Sequence, residues 1–431
     1  MLTTIVCVDF GHVNSPHERP GSTIGPMNPL VGTIVLVPLL AVVAALIASA
    51  VGRVAKIPLV VFEILLGILV GPSVLGWVPA SDALHAVSQF GLAFLFFMAG
   101  NEIDFHAVRG RPLRRASLGW LISLTAGVLL GVLLAPNAIA GVYVGVALCS
   151  TALGTLMPML RDAGELRTPF GLAVTAVGAV GEFGPLLAIS LFLSGRRPLV
   201  AAVVLIVFAV IAAGAVWFAA RGGHQRFHAL VRATLHTSGQ FAVRVVVLAV
   251  AALVGLSLAL GLDMLLGAFA AGVVVRVLLS GAAEPDAKLI ETKLEAVAFG
   301  VLVPVFFIQT GVAFDLRGLL GDPHALLLLP IFLVLLLVVR GLPGSIAAPR
   351  GSTFSDRASL MLFSATGLPI IVAVTNIGLK DHDLNSGTAT ALVGAGMLSV
   401  LIFPVVALLL RQRSADGGVR PPDPDRVPIE G

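Results

Sequence analysis

Three charged side chains lie deep inside long apolar runs of this sequence: Glu63, Glu182 and Arg340. A charge in hydrocarbon costs several kcal/mol unless it is satisfied, so such residues mark ion pathways, proton relays or structural pairs. Glu182 stands in Gly178-Ala-Val-Gly-Glu-Phe-Gly-Pro185, where Gly181 and Gly184 admit a close neighbouring helix and Pro185 frees a carbonyl one turn back. An enclosed carboxylate is neutralised either by a proton or by a metal cation, and trading one for the other is the chemistry this residue offers. The alternative is a structural glutamate that pairs with a neighbouring helix. Arg340, in Val339-Arg-Gly-Leu-Pro-Gly344, also has two readings: it pairs with Glu182, or it snorkels to an aqueous face roughly 12 Å away by helical rise. Glu63, about 10 Å from Lys56 along its span by the same rise, reads as a structural or interface carboxylate rather than a carrier. The nine histidines fall in loops or at span ends, which leaves carboxylate chemistry for any relay through the bilayer centre.

The elements that position these residues follow from composition. Only 12 % of the 431 residues are charged and 58 % are apolar, which excludes a water-soluble globule. Apolar runs of helical length, rather than alternating short segments, exclude an outer-membrane barrel and predict an all-α polytopic membrane protein. Thirteen candidate spans lie near 30–51, 57–71, 83–100, 113–135, 139–160, 168–194, 198–220, 241–260, 262–280, 296–313, 324–348, 356–378 and 386–410. Arg53, Lys56, the arginines of 109–115, Arg161, Arg167 and the basic residues of 221–244, 276–293, 350–357 and 411–426 fall on one side. Arg19, Arg196, Arg197, Arg317 and Lys380 fall on the other. The asymmetry predicts an N-terminus outside, a cytoplasmic C-terminus and a cytoplasmic (inner) membrane location. Residues 1–27 read as a polar, disordered leader that is not a signal peptide, and 412–431 as a short disordered tail with no regulatory domain after it. Two cysteines, Cys7 and Cys149, give no basis for a disulfide or a thiolate metal cluster, no cofactor is expected, and basic loops in a membrane protein record topology rather than nucleic-acid binding.

Two spans carry helix breakers among small hydroxyl residues: Cys149-Ser-Thr-Ala-Leu-Gly-Thr155 followed by Pro158, and Phe363-Ser-Ala-Thr-Gly-Leu-Pro369. If span 198–220 is a linker between two halves of six, these are the fifth span of each half, and the odd total inverts one half relative to the other. Corresponding broken spans in inverted halves point to a transporter's central site. Ser150, Thr151 and Thr366, with carbonyls freed at the breaks, would complete an oxygen shell that one carboxylate cannot supply to a hard monovalent cation. Gln309 and Thr310, in the tenth span, read as polar packing with a lesser claim to the ion.

Five stretches resemble one family: Ile57-Pro-Leu-Val-Val-Phe-Glu-Ile-Leu-Leu-Gly-Ile-Leu-Val-Gly-Pro-Ser-Val-Leu-Gly76, Leu95-Phe-Phe-Met-Ala-Gly-Asn-Glu-Ile-Asp104, Ser150-Thr-Ala152, Phe306-Phe-Ile-Gln-Thr-Gly311 and Thr375-Asn-Ile-Gly-Leu379. The family is the second monovalent cation:proton antiporter family, which includes Kef-type potassium/proton and Nap-type sodium/proton antiporters, and the resemblance runs from about residue 30 to 411. It implies a homodimer in which scaffold spans (30–100 and 241–313) hold elevator-moving transport spans (113–194 and 324–410), with broken helices crossing beside the ion site. By position, Glu182 falls where the family usually has its ion-binding Asp, Gly181 where a second polar residue precedes it, and Arg340 where many members carry Lys. The implied partners are Na⁺ or K⁺ and H⁺. A guanidinium does not titrate, so the expectation is electroneutral exchange of one cation for one proton at Glu182, with Arg340 compensating charge. The rival readings are a cation channel, for which no filter motif is present, and a transporter-like sensor without net flux. An intramembrane enzyme would need mid-span aspartates that the sequence lacks.

Overall fold

The computed structural model describes residues 32–52, 57–79, 81–103, 110–135, 137–193, 195–221, 240–280 and 284–417. The expected leader and the last part of the expected tail lie outside the described residues. The chain is helical, with no strand among the described residues. A π-helical turn (Gly32–Leu36) leads into α1 (Val37–Val51), followed by α2 (Leu59–Val70), α3 (Asp82–Glu102), α4 (Arg111–Leu134), α5 (Ala138–Leu148), α6 (Leu153–Asp162), α7 (Pro169–Phe192) and α8 (Pro198–Arg221). Then come α9 (Phe241–Ala259), α10 (Met264–Ser280), α11 (Glu284–Val297), α12 (Val303–Val312), α13 (Leu316–Gly321), α14 (Pro323–Leu335), α15 (Phe354–Ser364), α16 (Pro369–Lys380) and α17 (Ser386–Gly417). Helix α17 continues past residue 411 into what the sequence reads as tail.

Among the described residues, 11 helical stretches are long and apolar enough to cross a bilayer, and the two shorter apolar helices α2 and α10 stand at the second and ninth expected spans. In chain order these stretches coincide with all of the spans read from hydropathy. Local chemistry sets their ends. Pro58 opens α2, and the Ser81 and Asn137 side chains cap α3 and α5. Thr168 and Pro169 together start α7.

The helices pack in two groups. In one, α2 and α3 lie against α12, α3 against α10, and α9 against α10. In the other, α4 packs on α5 and α7, and α17 on α14, α15 and α16. Helix α8 touches α7 on one side and α10 on the other. Backbones meet where glycines remove the side chain: a Cβ on Gly67 of α2 would stand 3.1 Å from the Gly311 Cα of α12 and would run into the Ile308 carbonyl. Polar ties fix the second group. Arg411 of α17 reaches Glu165 (Nε–Oε1 3.0 Å) and Asp356 and lies over the Phe170 ring. Tyr143 Oη of α5 donates to Asp381 beyond α16 (3.0 Å).

Candidate functional site

Both expected breaks are present and lie against each other. The first separates α5 from α6, with Ala152 outside the helical region (φ −91°, ψ 85°). The second separates α15 from α16, where Pro369 lacks an amide hydrogen and Leu368 is turned to φ −144°. Ala152 N donates to the Thr366 carbonyl (2.8 Å), and Thr151 Oγ1 donates to the Ser364 carbonyl (2.6 Å). Thr151 N donates to the Gly181 carbonyl (2.9 Å), tying the first break to the middle of α7. Ser399 of α17 accepts from Gly367 N (3.2 Å) and steadies the second break.

Glu182 is buried in this junction, at 1 % exposure. Its carboxylate faces the backbone N–H groups of Leu153 and Gly154, the first turn of α6, whose N-cap residue Ala152 offers no side chain of its own. Glu182 thus stands where a capping anion would, against the positive end of a helix. Its Oε2 has no hydrogen-bond partner among the described residues. An acceptor oxygen without a donor at this depth carries a desolvation cost that a proton or a cation would relieve.

Arg340 lies in a π-helical stretch, Leu336–Gly341, that continues α14, and it is fully buried. Nε donates to Thr151 Oγ1 and Nη2 to the Val177 carbonyl, each at 2.8 Å, and Nη1 has no partner among the described residues. Of the two readings of this residue, snorkelling is excluded by its burial, and the pairing is not realised as an ion pair: Arg340 and Glu182 make no salt bridge, and the guanidinium rests on neutral oxygens. Gly181 makes that arrangement possible. A Cβ at 181 would collide with Arg340 Nη2 and stand 2.6 Å from Thr151 Oγ1.

Ser150, Thr151, Thr366, Glu182 and Arg340 therefore come together. Ser150 Oγ donates to the Ala147 carbonyl (2.8 Å) and Thr366 Oγ1 to the Leu362 carbonyl (3.0 Å), so both hydroxyls keep lone pairs for a ligand. Thr151 is engaged on both sides, accepting from Arg340 and donating to Ser364. Gln309 and Thr310 lie elsewhere: they line a cavity of about 130 Å³ with His85, Asp315 and Asn376, where Gln309 Oε1 has no partner among the described residues and Thr310 Oγ1 donates to the Phe306 carbonyl. Glu63 lines another cavity, of about 510 Å³, beside Gly154 and Thr155.

One acidic residue is missing from the sequence reading. Helix α3 extends to Glu102, beyond the expected span end at 100, and Glu102 lies close enough to act electrostatically on Glu182. Arg161, Arg276, Glu291 and Glu295 act on Glu102 in turn, and neither Glu102 Oε2 nor Asn101 Oδ1 has a partner among the described residues. The available signal was the Asn101-Glu102 pair next to an apolar run.

Residues 41–408 match the family described as sodium/hydrogen exchanger, transmembrane. The Bacillus subtilis protein YjbQ is 26 % identical over 83 % of this chain, and the match covers 60 % of that longer relative. The Na⁺/H⁺-K⁺ antiporter GerN of Bacillus cereus is 26 % identical over 80 % of this chain and 88 % of its own length. The fold is similar to that of the sodium proton antiporter MjNhaP1 from Methanocaldococcus jannaschii, with a TM-score of 0.64, 17 % identity and coverage of 90 % of this chain and 98 % of the other.

Proposed function

The chain belongs to the sodium/hydrogen exchanger family, and on that premise we propose that it exchanges a monovalent cation, Na⁺ or K⁺, for a proton, with Glu182 as the shared site. The observation that carries this reading is the unpartnered Glu182 Oε2 beside two broken helices that are bonded to each other. In the proton-loaded state Glu182 is a neutral acid. In the cation-loaded state the ion takes the open oxygen and completes its shell from the Ser150 and Thr366 hydroxyls and from carbonyls at the breaks. Arg340 holds the first break through Thr151 and keeps its charge throughout the cycle. One cation therefore replaces one proton and the exchange is electroneutral.

The helix group containing α4–α7 and α14–α17 is the moving transport unit of this proposal. The group containing α1–α3, α9, α10 and α12 is the scaffold through which two copies dimerise in the inner membrane, and α8 links them. The ends bearing most basic residues face the cytoplasm. Dequenching of a pH-gradient dye in everted vesicles on addition of Na⁺, K⁺ or Li⁺ tests the reading. Wild type collapses the gradient and Glu182→Gln does not, at equal amounts of protein in the membrane. Full exchange by Glu182→Gln overturns it.

A further inference from the structure

The 510 Å³ cavity lies between the two helix groups, walled by α2 and α12 on one side and by α6 and the Leu408 end of α17 on the other. Its lining is apolar except at Glu63 of α2 and Thr155 of α6. Glu63 is only 3 % exposed, yet no charged group and no hydrogen bond from the described residues acts on it. Thr155 Oγ1 spends its hydrogen on the Ala152 carbonyl (2.9 Å), which leaves its lone pairs free to accept. Gly154 lines the same cavity, and its amide faces the Glu182 carboxylate. Gly154 thus borders both the cavity and the Glu182 carboxylate.

A carboxyl group enclosed by hydrocarbon and unpaired among the described residues is satisfied by what enters its cavity. Apolar low-dielectric walls concentrate the field of such a group along the passage. We infer that Glu63 and Thr155 form a second, transient site for a monovalent cation, a waiting position on the cytoplasmic path to Glu182 with one oxygen donor from each helix group. The site rests on the exchange reading above and adds an assignment to it: Glu63 governs how readily the cation arrives, and Glu182 governs whether exchange happens. Because the two donors belong to different helix groups, the site exists only while those groups stand as they do here. A cation on it passes to Glu182 when they part. Gln309, Asp315 and Asn376 line the other cavity and have no part in it.

The test compares half-saturating Na⁺ or K⁺ from each face, using everted and right-side-out vesicles that carry full-length protein. Glu63→Gln is expected to raise the half-saturating concentration about tenfold from the cytoplasmic face, more than it lowers the maximal rate, and to leave the opposite face within about twofold. Thr155→Val is expected to move the same parameter by a smaller factor, and Glu63→Asp to stay near wild type. Glu63→Cys in a Cys7→Ser background supplies a second measurement, since Cys149 is buried. A sulfonate-bearing thiol reagent should lower the half-saturating concentration from the cytoplasmic face and an ammonium-bearing one should raise it. Unchanged half-saturation in Glu63→Gln, an equal rise from both faces, or insensitivity to the reagent's charge overturns the inference. Wild type that exchanges normally while Glu63→Gln matches it refutes only the waiting site. Wild type that does not exchange, or Glu182→Gln that does, refutes the exchange reading.

Discussion

Gly181→Ala is the substitution whose outcome depends most sharply on the geometry of the junction. In an exposed helix interior an alanine stabilises by up to about 1 kcal/mol relative to glycine, so a propensity argument expects a gain. The structure expects a loss. The added methyl would strike Arg340 Nη2 and lie 2.6 and 2.7 Å from Thr151 Oγ1 and Cβ. To clear it, the guanidinium has to release the Val177 carbonyl or Thr151 has to release Arg340 Nε. Hydrogen bonds to a charged group contribute about 1.5–3 kcal/mol each, and stripping partners from a buried charge costs about 3–5 kcal/mol. A net loss of about 3 kcal/mol follows. If Arg340 is first replaced by alanine, the methyl at 181 meets only Thr151, and its added cost falls to about 1 kcal/mol. The double-mutant cycle should thus give a coupling of about 2 kcal/mol, roughly 30-fold in an unfolding equilibrium. SDS-induced unfolding in mixed micelles of the four proteins reads this directly. Additive costs within about 0.5 kcal/mol, or a Gly181→Ala protein as stable as wild type, would refute the packing argument.

Thr151→Val removes the hydroxyl that accepts from Arg340 and donates to Ser364, leaving two buried groups unpaired; a loss of about 2–4 kcal/mol is expected, with Thr151→Ser close to wild type in the same unfolding experiment. Arg411→Ala breaks contacts to Glu165 and Asp356 and a stacking contact 4.5 Å from the Phe170 ring centroid, for a loss of about 1–3 kcal/mol. Arg161→Ala breaks a 3.8 Å pair with Glu295 whose side chains are 53 % and 37 % exposed and withdraws a solvent-screened charge from Glu102, for less than about 1 kcal/mol, and equal thermal shifts for the two variants would contradict the comparison. Under the proposed electroneutral exchange, an imposed potential of about 100 mV leaves the equilibrium cation distribution in proteoliposomes unchanged. A cycle moving one net charge would shift it by about 2.3 kcal/mol, near 50-fold, and such a shift would refute one-for-one exchange.

Hydropathy made the spans legible because burial in lipid acts on every residue of a run at once, and even the short α2 and α10 stand where the apolar segments predicted them. The two breaks were legible for a similar reason: Pro369 and the Gly-rich, hydroxyl-rich stretches restrict the backbone whatever surrounds them. What sequence could not resolve was partnership. Ser150 and Thr151 are neighbours of similar chemistry, yet only Thr151 meets the guanidinium, because Ala152 leaves the helical region and turns the segment toward Gly181 and Thr366. Glu102 escaped notice through a boundary. An apolar window ends at the last hydrophobic residue, whereas the hydrogen-bonded helix carries on and draws its terminal carboxylate into the protein.

Gly181 and Arg340, two of the three positions at which the resemblance implies a departure, Glu182 for Asp being the third, are coupled by volume. Arginine is longer than lysine, and its fork reaches Thr151 and the Val177 carbonyl only across the space that a side chain at 181 would occupy. Arg340 thus occupies the space that Gly181 leaves open. The guanidinium rests on neutral oxygens, with no ion pair to Glu182, and Glu182 Oε2 has no hydrogen-bond partner among the described residues. Under the proposed exchange, an arriving Na⁺ or K⁺ then does not have to displace a basic side chain, and no basic side chain is available to release a second proton. Competition at the site is reduced to cation against proton on a single carboxylate, with the guanidinium supplying a constant background charge.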